Sequence, residues 1–186
     1  MVFNVMSHLT PADYRKMPWR NGGGTTTEIL VVPDTATARD RFDYRLSIAD
    51  IAIDGPFSRF DGYDRHIMLL SGAGMDLDCG AHGRIELRTP FQPRFFSGDW
   101  DVSALLVAGP VRDLNLIVDR ARASSSLGLR VLDAPQAFTV ESGEVCVVHV
   151  ISGTLVNAGE GDTLVADAPF ELVPQGTARL AIARIG

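Results

Sequence analysis

Two pairs of polar residues stand two apart in otherwise apolar stretches: Arg45 and Ser47 within Phe42 to Asp54, and Asp113 and Asn115 beside Leu114, Leu116 and Val118. Side chains two apart on a strand share a face. A guanidinium and a hydroxyl on one inward face would make a carboxylate clamp, because the planar arginine fork bonds a carboxylate bidentately. The alternative for that face is solvent. Asp113 and Asn115 are costly if buried without partners, so they call for Arg45, Arg65 or Asn21. A structural polar network or an exposed edge would equally account for them. Arg65 directly precedes the apolar run His66 to Leu70 and is the second candidate cation.

Trp19, Arg20 and Asn21 precede Gly22-Gly23-Gly24. Glycines let backbone N–H groups approach an anion, and Trp19 could close a pocket with an apolar wall. An anchored loop is the plainer alternative. Ser58, Arg59 and Arg65 bracket a loop whose Phe57 and Phe60 are expected to pin it to the core. Neither Ser47 nor Ser58 has a histidine at a meaningful spacing, so no nucleophile and base stand out. Asp113 or Glu28 could serve as a base, but nothing singles either out. The histidines are His8, His66, His82 and His149, with no His-x-His pair. That pattern offers no ligand cluster for a transition metal, and no cofactor is expected. Cys79 and Cys146 are far apart, and Cys146 lies in an apolar run that suits a small core residue.

These residues need strands to position them. Thr25 to Val32, Phe42 to Asp54, His66 to Leu70, Met75 to Asp78 and Asp99 to Val107 read as strands between glycine and proline turns. In Phe42 to Asp54 the apolar phase changes after Ala49, from Tyr44, Leu46 and Ile48 to Ile51 and Ile53, which predicts a β-bulge near Asp50. Residues 33–40 read as a loop or helical turn. The one helix candidate is Asp119 to Ser126. An Ile67 to Leu70 strand with Ser71-Gly72 and a later Gly98-Asp99 is echoed by Val147 to Ile151 with Ser152-Gly153 and Gly161-Asp162. This order predicts a duplicated β-sandwich or small barrel.

The chain has 186 residues, 46% of them hydrophobic, enough for one domain or two small halves. Its net charge of −6 argues against nucleic acid as a partner. Sixteen of the seventeen basic residues are arginine, and eleven of the seventeen lie in the first hundred, among them Arg39, Arg41, Arg45, Arg59 and Arg65. An anionic ligand is therefore sought in that half. No run approaches the roughly 20 apolar residues of a membrane span. The start shows no basic region followed by a long apolar stretch, so the cytoplasm is the expected compartment, with no membrane partner.

The duplicated hairpin resembles that of a cupin barrel, and two copies resemble a bicupin. Pro18 to Ile29, the segments Arg45 to Ala49, Asp54 to Phe60 and Gly62 to Arg65, and Gly109 to Leu116 together resemble the HutD/Ves family. Arg20 stands where many members have lysine, and Ile117 where methionine is common. The resemblance implies an all-β bicupin without the usual metal ligands, encoded in some bacteria with histidine-utilisation genes. Its modules are expected at about residues 1–120, with the N-terminal strands, and about 121–186. The resemblance also implies a regulatory, small-carboxylate-binding role, with N-formylglutamate or urocanate as candidate ligands. The candidate contacts are Trp19, Arg20, Asn21, Arg45, Ser47, Ser58, Arg65, Asp113 and Asn115. A metal-independent isomerase or hydrolase, and a protein-interaction module, are the alternatives; a homodimer is left open. Any pocket is expected in the first copy.

Overall fold

β-Branched and aliphatic runs punctuated by glycine and proline fold as strands almost throughout. The computed structural model describes residues 6–33 and 41–186, so the loop expected at residues 33–40, Arg39 included, lies almost wholly outside the described residues. The chain divides into two compact units, Arg15–Ala123 and the segment ending at Tyr14 together with Ser124–Gly186. The N-terminal strand β1 (Ser7–Leu9) thus belongs with the C-terminal residues.

In the unit Arg15–Ala123 the strands are β2 (Arg15–Pro18), β3 (Gly24–Pro33), β4 (Phe42–Ile51), β5 (Gly55–Pro56), β6 (Tyr63–Ser71), β7 (Met75–Asp78), β8 (Arg84–Leu87), β9 (Pro93–Ser97), β10 (Ser103–Leu106) and β11 (Val111–Asp119). They form a six-stranded sheet, β2-β3-β4-β11-β6-β9, and a four-stranded sheet, β5-β10-β7-β8. Ile51, Ile67 and Leu69 of the first sheet share a buried cluster with Met75, Leu77 and Leu87 of the second. The other unit holds β12 (Ser125–Leu132), β13 (Gln136–Phe138), β14 (Val145–Ser152), β15 (Thr163–Ala166), β16 (Phe170–Leu172) and β17 (Ala178–Ile185). Its sheets run β1-β15-β14-β17-β12 and β13-β16.

Three expectations need correction. Asp119 to Ser126 holds the end of β11, a turn at residues 120–122 and the start of β12, and among the described residues the one helical element is a 3-10 turn at Gly80–His82. The strand expected over Asp99 to Val107 is the shorter β10. β4 also has no bulge at Asp50: it pairs with β11 without interruption from Tyr44↔Val118 to Ile51↔Val111. The apparent change of phase has another cause. One face of β4 carries Arg45 and Ser47 and then Ala49 and Ile51, so a single face is polar at one end and part of the apolar core at the other.

The duplication is structural in its Ser-Gly half. Gly72 and Gly153 both have positive φ, 101° and 86°. A Cβ on Gly72 would lie 2.6 Å from the Pro110 carbonyl oxygen, and one on Gly153 2.4 Å from that of Thr177. Both turns follow a register shift, at Leu70 against β11 and at Ile151 against β17. The Gly-Asp half does not match. Gly161 N–H bonds the Val150 carbonyl, and the N–H in the same relation to β6 is that of Phe91, bonded to the Leu69 carbonyl. Phe91, at φ 64°, is the one non-glycine residue with positive φ among the described residues. The counterpart of Gly161-Asp162 is therefore Phe91-Gln92, and Gly98-Asp99 closes the other end of β9.

Candidate functional site

Strand registry sets the site. Ile117 on β11 is flanked on one rung by Arg45 of β4 and Arg65 of β6; Asn115 is flanked by Ser47 and Ile67, and Asp113 by Ala49 and Leu69. The period of two puts all of these on one face, the face that joins the core cluster at Ala49 and Leu69. Over the polar end lies a cavity of about 480 Å³. Eight of the nine candidate contacts line it: Trp19, Arg20, Asn21, Arg45, Ser47, Ser58, Arg65 and Asn115.

Asp113 does not line the cavity. It is fully buried behind Asn115, whose Nδ2 donates to Asp113 Oδ1 while its Oδ1 accepts from Arg65 Nη2 at 2.9 Å. Of the three partners considered for the Asp113 and Asn115 pair, the structure supplies Arg65. A second Arg65 nitrogen donates to the Ser58 carbonyl at 3.2 Å, so the exposed Ser58 contributes its backbone to the network.

Arg45 and Arg65 are held by aromatic faces. The Arg65 guanidinium lies 4.7 Å from the Phe96 ring centroid, 5.3 Å from Phe57 and 5.4 Å from Phe60. Arg45 lies 5.0 Å from Phe60 and 5.3 Å from Phe42. A cation over the ring faces gains from the aromatic quadrupole while losing water. Phe57 and Phe60 thus pack on the core, as expected of that loop, and also form cavity wall.

Desolvation governs the electrostatics. Burial pulls the Arg65 guanidinium down to about 10, opposed by Asp113 and helped by Arg45. Arg45 is lowered by the same cause, with Glu28 on β3 acting against it through space. The Nε of each arginine is buried without a hydrogen-bond partner. Burial pushes the Asp113 carboxyl up to about 8, and its Oδ2 has no partner. Other arginines of this unit are engaged by carboxylates: Arg41 by Asp119, Arg59 by Asp61 and Asp101, Arg88 by Asp76, Arg112 by Asp50, and Arg120 by Asp64 and Asp99. Arg59 thus lies outside the site.

The β2–β3 turn is tied rather than open. Gly22 N–H bonds the Trp19 carbonyl and Gly23 N–H bonds Asn21 Oδ1, so these two are not free for an anion as a nest would require. Trp19 Nε1 donates to Thr26 Oγ1 at 2.8 Å, which fixes the indole at the cavity edge. Gly24 is required by packing, because a Cβ there would meet the Asp50 carbonyl oxygen at 2.5 Å.

The sequence reading missed Thr26, Ala49 and Ile117 as lining residues. Period two from Asn115 could have flagged Ile117. Thr26 depends on the β3–β4 pairing, which no local pattern reveals. Among the described residues, no group of three or more His, Cys, Asp or Glu is placed to hold a metal ion. The four histidines are dispersed: His8 bonds Asp162, His66 touches Phe95, His82 stacks on Trp100, and His149 bonds Thr163. Cys79 and Cys146 are buried free thiols. No helix among the described residues is long and apolar enough to cross a membrane.

In the other unit, equivalent rungs carry different chemistry. Counting from the paired Ser-Gly turns and registers, Arg65 corresponds to Cys146, Asp113 to Leu180, Asn115 to Ile182, and Ser47 to Gly128. The polar set belongs to one copy.

Comparison with known proteins gives the family. An uncharacterised 21.2 kDa protein of the hutC 3' region of Pseudomonas putida is 47% identical over 109 residues, which is 59% of this chain and 56% of that protein. The protein Ves of Citrobacter koseri is 41% identical over 145 residues, covering 76% of this chain and 72% of that protein. The solved structure of HutD from Pseudomonas fluorescens SBW25, obtained in a formate condition, is 36% identical with a TM-score of 0.77, covering 95% of this chain and 97% of that one. An oxalate decarboxylase of Lactobacillus farciminis, at 8% identity and a TM-score of 0.67, shares the cupin-type fold alone. The HutD family model matches residues 11–184, and the chain belongs to the HutD family.

Proposed function

We propose that the two units are two cupin modules and that the cavity of the Arg15–Ala123 unit binds a small carboxylate metabolite. The observation that carries this reading is the charge of the cavity wall. Its ionisable side chains are Arg20, Arg45 and Arg65, with no Asp, Glu, His, Cys, Lys or Tyr among the lining residues. Two of these cations are desolvated and keep unpartnered Nε–H donors. Buried cations without counter-ions are costly unless a ligand supplies the charge. A carboxylate on Arg45 and Arg65, with Ser47 and Asn115 beside them and the Trp19 and Phe57 rings as walls, supplies that counter-charge. The volume suits a metabolite-sized ligand, since such pockets span roughly 300–1,000 Å³.

N-formylglutamate and urocanate are the candidate ligands, with a regulatory role in histidine breakdown. The relative beside hutC supports that assignment. Without an acid or base on the wall, the arrangement favours capture over turnover by a metal-independent isomerase or hydrolase. Isothermal titration with N-formylglutamate, urocanate and histidine tests the reading. Binding of a carboxylate that Arg45→Ala and Arg65→Ala each abolish is expected. No binding by any of the three overturns it, and turnover of a bound compound moves the assignment to an enzyme.

A further inference from the structure

Asp113, buried behind the cavity wall, deepens the carboxylate-binding reading, and the role assigned to it rests on that reading. It has no exposure, one hydrogen-bond donor, and a second oxygen with no partner. On its rung it lies between Ala49 and Leu69. An ionised carboxylate there would leave one oxygen desolvated and unbonded, whereas the neutral acid loses far less on burial. It makes no ion pair with Arg65, because the Asn115 amide stands between them.

That amide is directional. It offers N–H to Asp113 and its oxygen to Arg65, so Asp113 fixes which way Asn115 points and thereby where the Arg65 fork is held. We infer that Asp113 is a positioning residue whose proton is coupled to occupancy of the cavity: it orients Asn115 and Arg65, and an anion bound to Arg45 and Arg65 favours its protonated form. The charges acting on it are few, and that of Asp50 acts from the opposite face of the sheet. From β6 comes Arg65, and from β4 Asp50, itself held bidentately by Arg112. Arg45 lies two rungs away on β4.

Linkage gives the sign. With the acid neutral, the wall presents its positive charge undiminished; ionisation sets a negative charge behind Arg65 and repels an incoming carboxylate. Affinity is then highest where Asp113 is protonated and falls as pH rises through its folded value of about 8. Arg65, lowered to about 10, loses its charge only above that window. For charges roughly 10 Å apart at an effective dielectric near 20, the coupling is about tenfold in affinity. Most of it, about fivefold, falls between pH 7 and pH 9.

The test is calorimetric titration of wild type and Asp113→Asn with N-formylglutamate, whose two carboxylates do not titrate in this range, at pH 6, 7, 8 and 9. Wild type is expected to lose about fivefold in affinity from pH 7 to pH 9 and to take up about half a proton per ligand near pH 8.5, seen by comparing buffers of different ionisation enthalpy. Asp113→Asn is expected to show a flat affinity profile from pH 7 to pH 9 and no proton uptake, whatever its affinity at pH 6. A wild-type affinity unchanged from pH 7 to pH 9, with no proton uptake, overturns the coupling while leaving the binding reading intact. Should the variant fail to fold, proton uptake by wild type decides alone. Absence of binding at pH 6 by N-formylglutamate, urocanate and histidine alike overturns the carboxylate reading and this coupling with it.

Discussion

Arg45 and Arg65 flank Ile117 on a single rung of the six-stranded sheet, and both guanidiniums lie against the Phe60 ring. Two like charges are thus held close together and largely out of water, an arrangement that costs stability unless a ligand compensates it. Replacing Arg45 by methionine removes a desolvated cation while keeping side-chain bulk. Arg45→Met is expected to stabilise the free protein by about 1 kcal/mol, a rise of about 2–4 °C in Tm, while abolishing carboxylate binding. Calorimetric melting beside a binding titration checks both halves; a large drop in Tm would show that Arg45 supports the fold instead.

Asn115 has the opposite character. Its amide satisfies Arg65 and Asp113 at once, so Asn115→Leu strands a buried cation and a buried acid together. A loss of about 2–4 kcal/mol is expected, since a buried polar group deprived of its partner carries its full desolvation cost. Urea denaturation measures it. If Asn115→Leu cost under about 1 kcal/mol, the network would be far looser than its bonds imply.

Much of this is legible from local pattern. Strands set by alternation, such as β4 and β7, lie close to where the residue types put them, and residues two apart share the face expected of them. The bulge and the Gly-Asp correspondence failed because they depended on pairing across the sheet. The change of phase after Ala49 looks like a bulge when read along one strand. It takes both neighbours to show one face passing from polar cavity to apolar core. The Gly98-Asp99 pair misleads because Gly98 is needed for a different reason: a Cβ there would meet the Phe60 carbonyl oxygen at 2.4 Å. Spacing alone groups Asp113 with Asn115. Depth behind a wall is a property of layers, which a one-dimensional pattern does not carry.

The equivalence of the Ser-Gly turns carries its own prediction. Gly72 and Gly153 share a left-handed backbone and a clash with a facing carbonyl, so Gly72→Ala and Gly153→Ala are expected to destabilise the protein by similar amounts, about 2–4 kcal/mol each. Gly143, also at positive φ but with open space around it, is expected to cost only about 1 kcal/mol on the same substitution. Denaturation curves of the three variants rank them; a mild Gly153→Ala beside a severe Gly72→Ala would break the equivalence.

His149 is expected to contribute to the acid limb of stability. Its ring is buried, Nδ1 lies 2.9 Å from Thr163 Oγ1, and Tyr14 bonds the same hydroxyl at 2.8 Å. Burial pulls the imidazole down to about 4, against some help to its charged form from Asp162. A histidine whose folded value lies below its unfolded value of about 6.5 contributes stability that is full above pH 6.5 and is lost as pH falls towards 4, because the unfolded chain then binds the extra proton. A span of about 2.5 pH units corresponds to at most about 3 kcal/mol. His149→Gln keeps a polar side chain beside Thr163 but cannot titrate. Its stability is therefore expected to be flatter than that of wild type between pH 6.5 and pH 4, with the two curves converging as pH drops. Urea midpoints at half-unit steps measure the difference, and parallel curves would move the origin of the acid limb to another group.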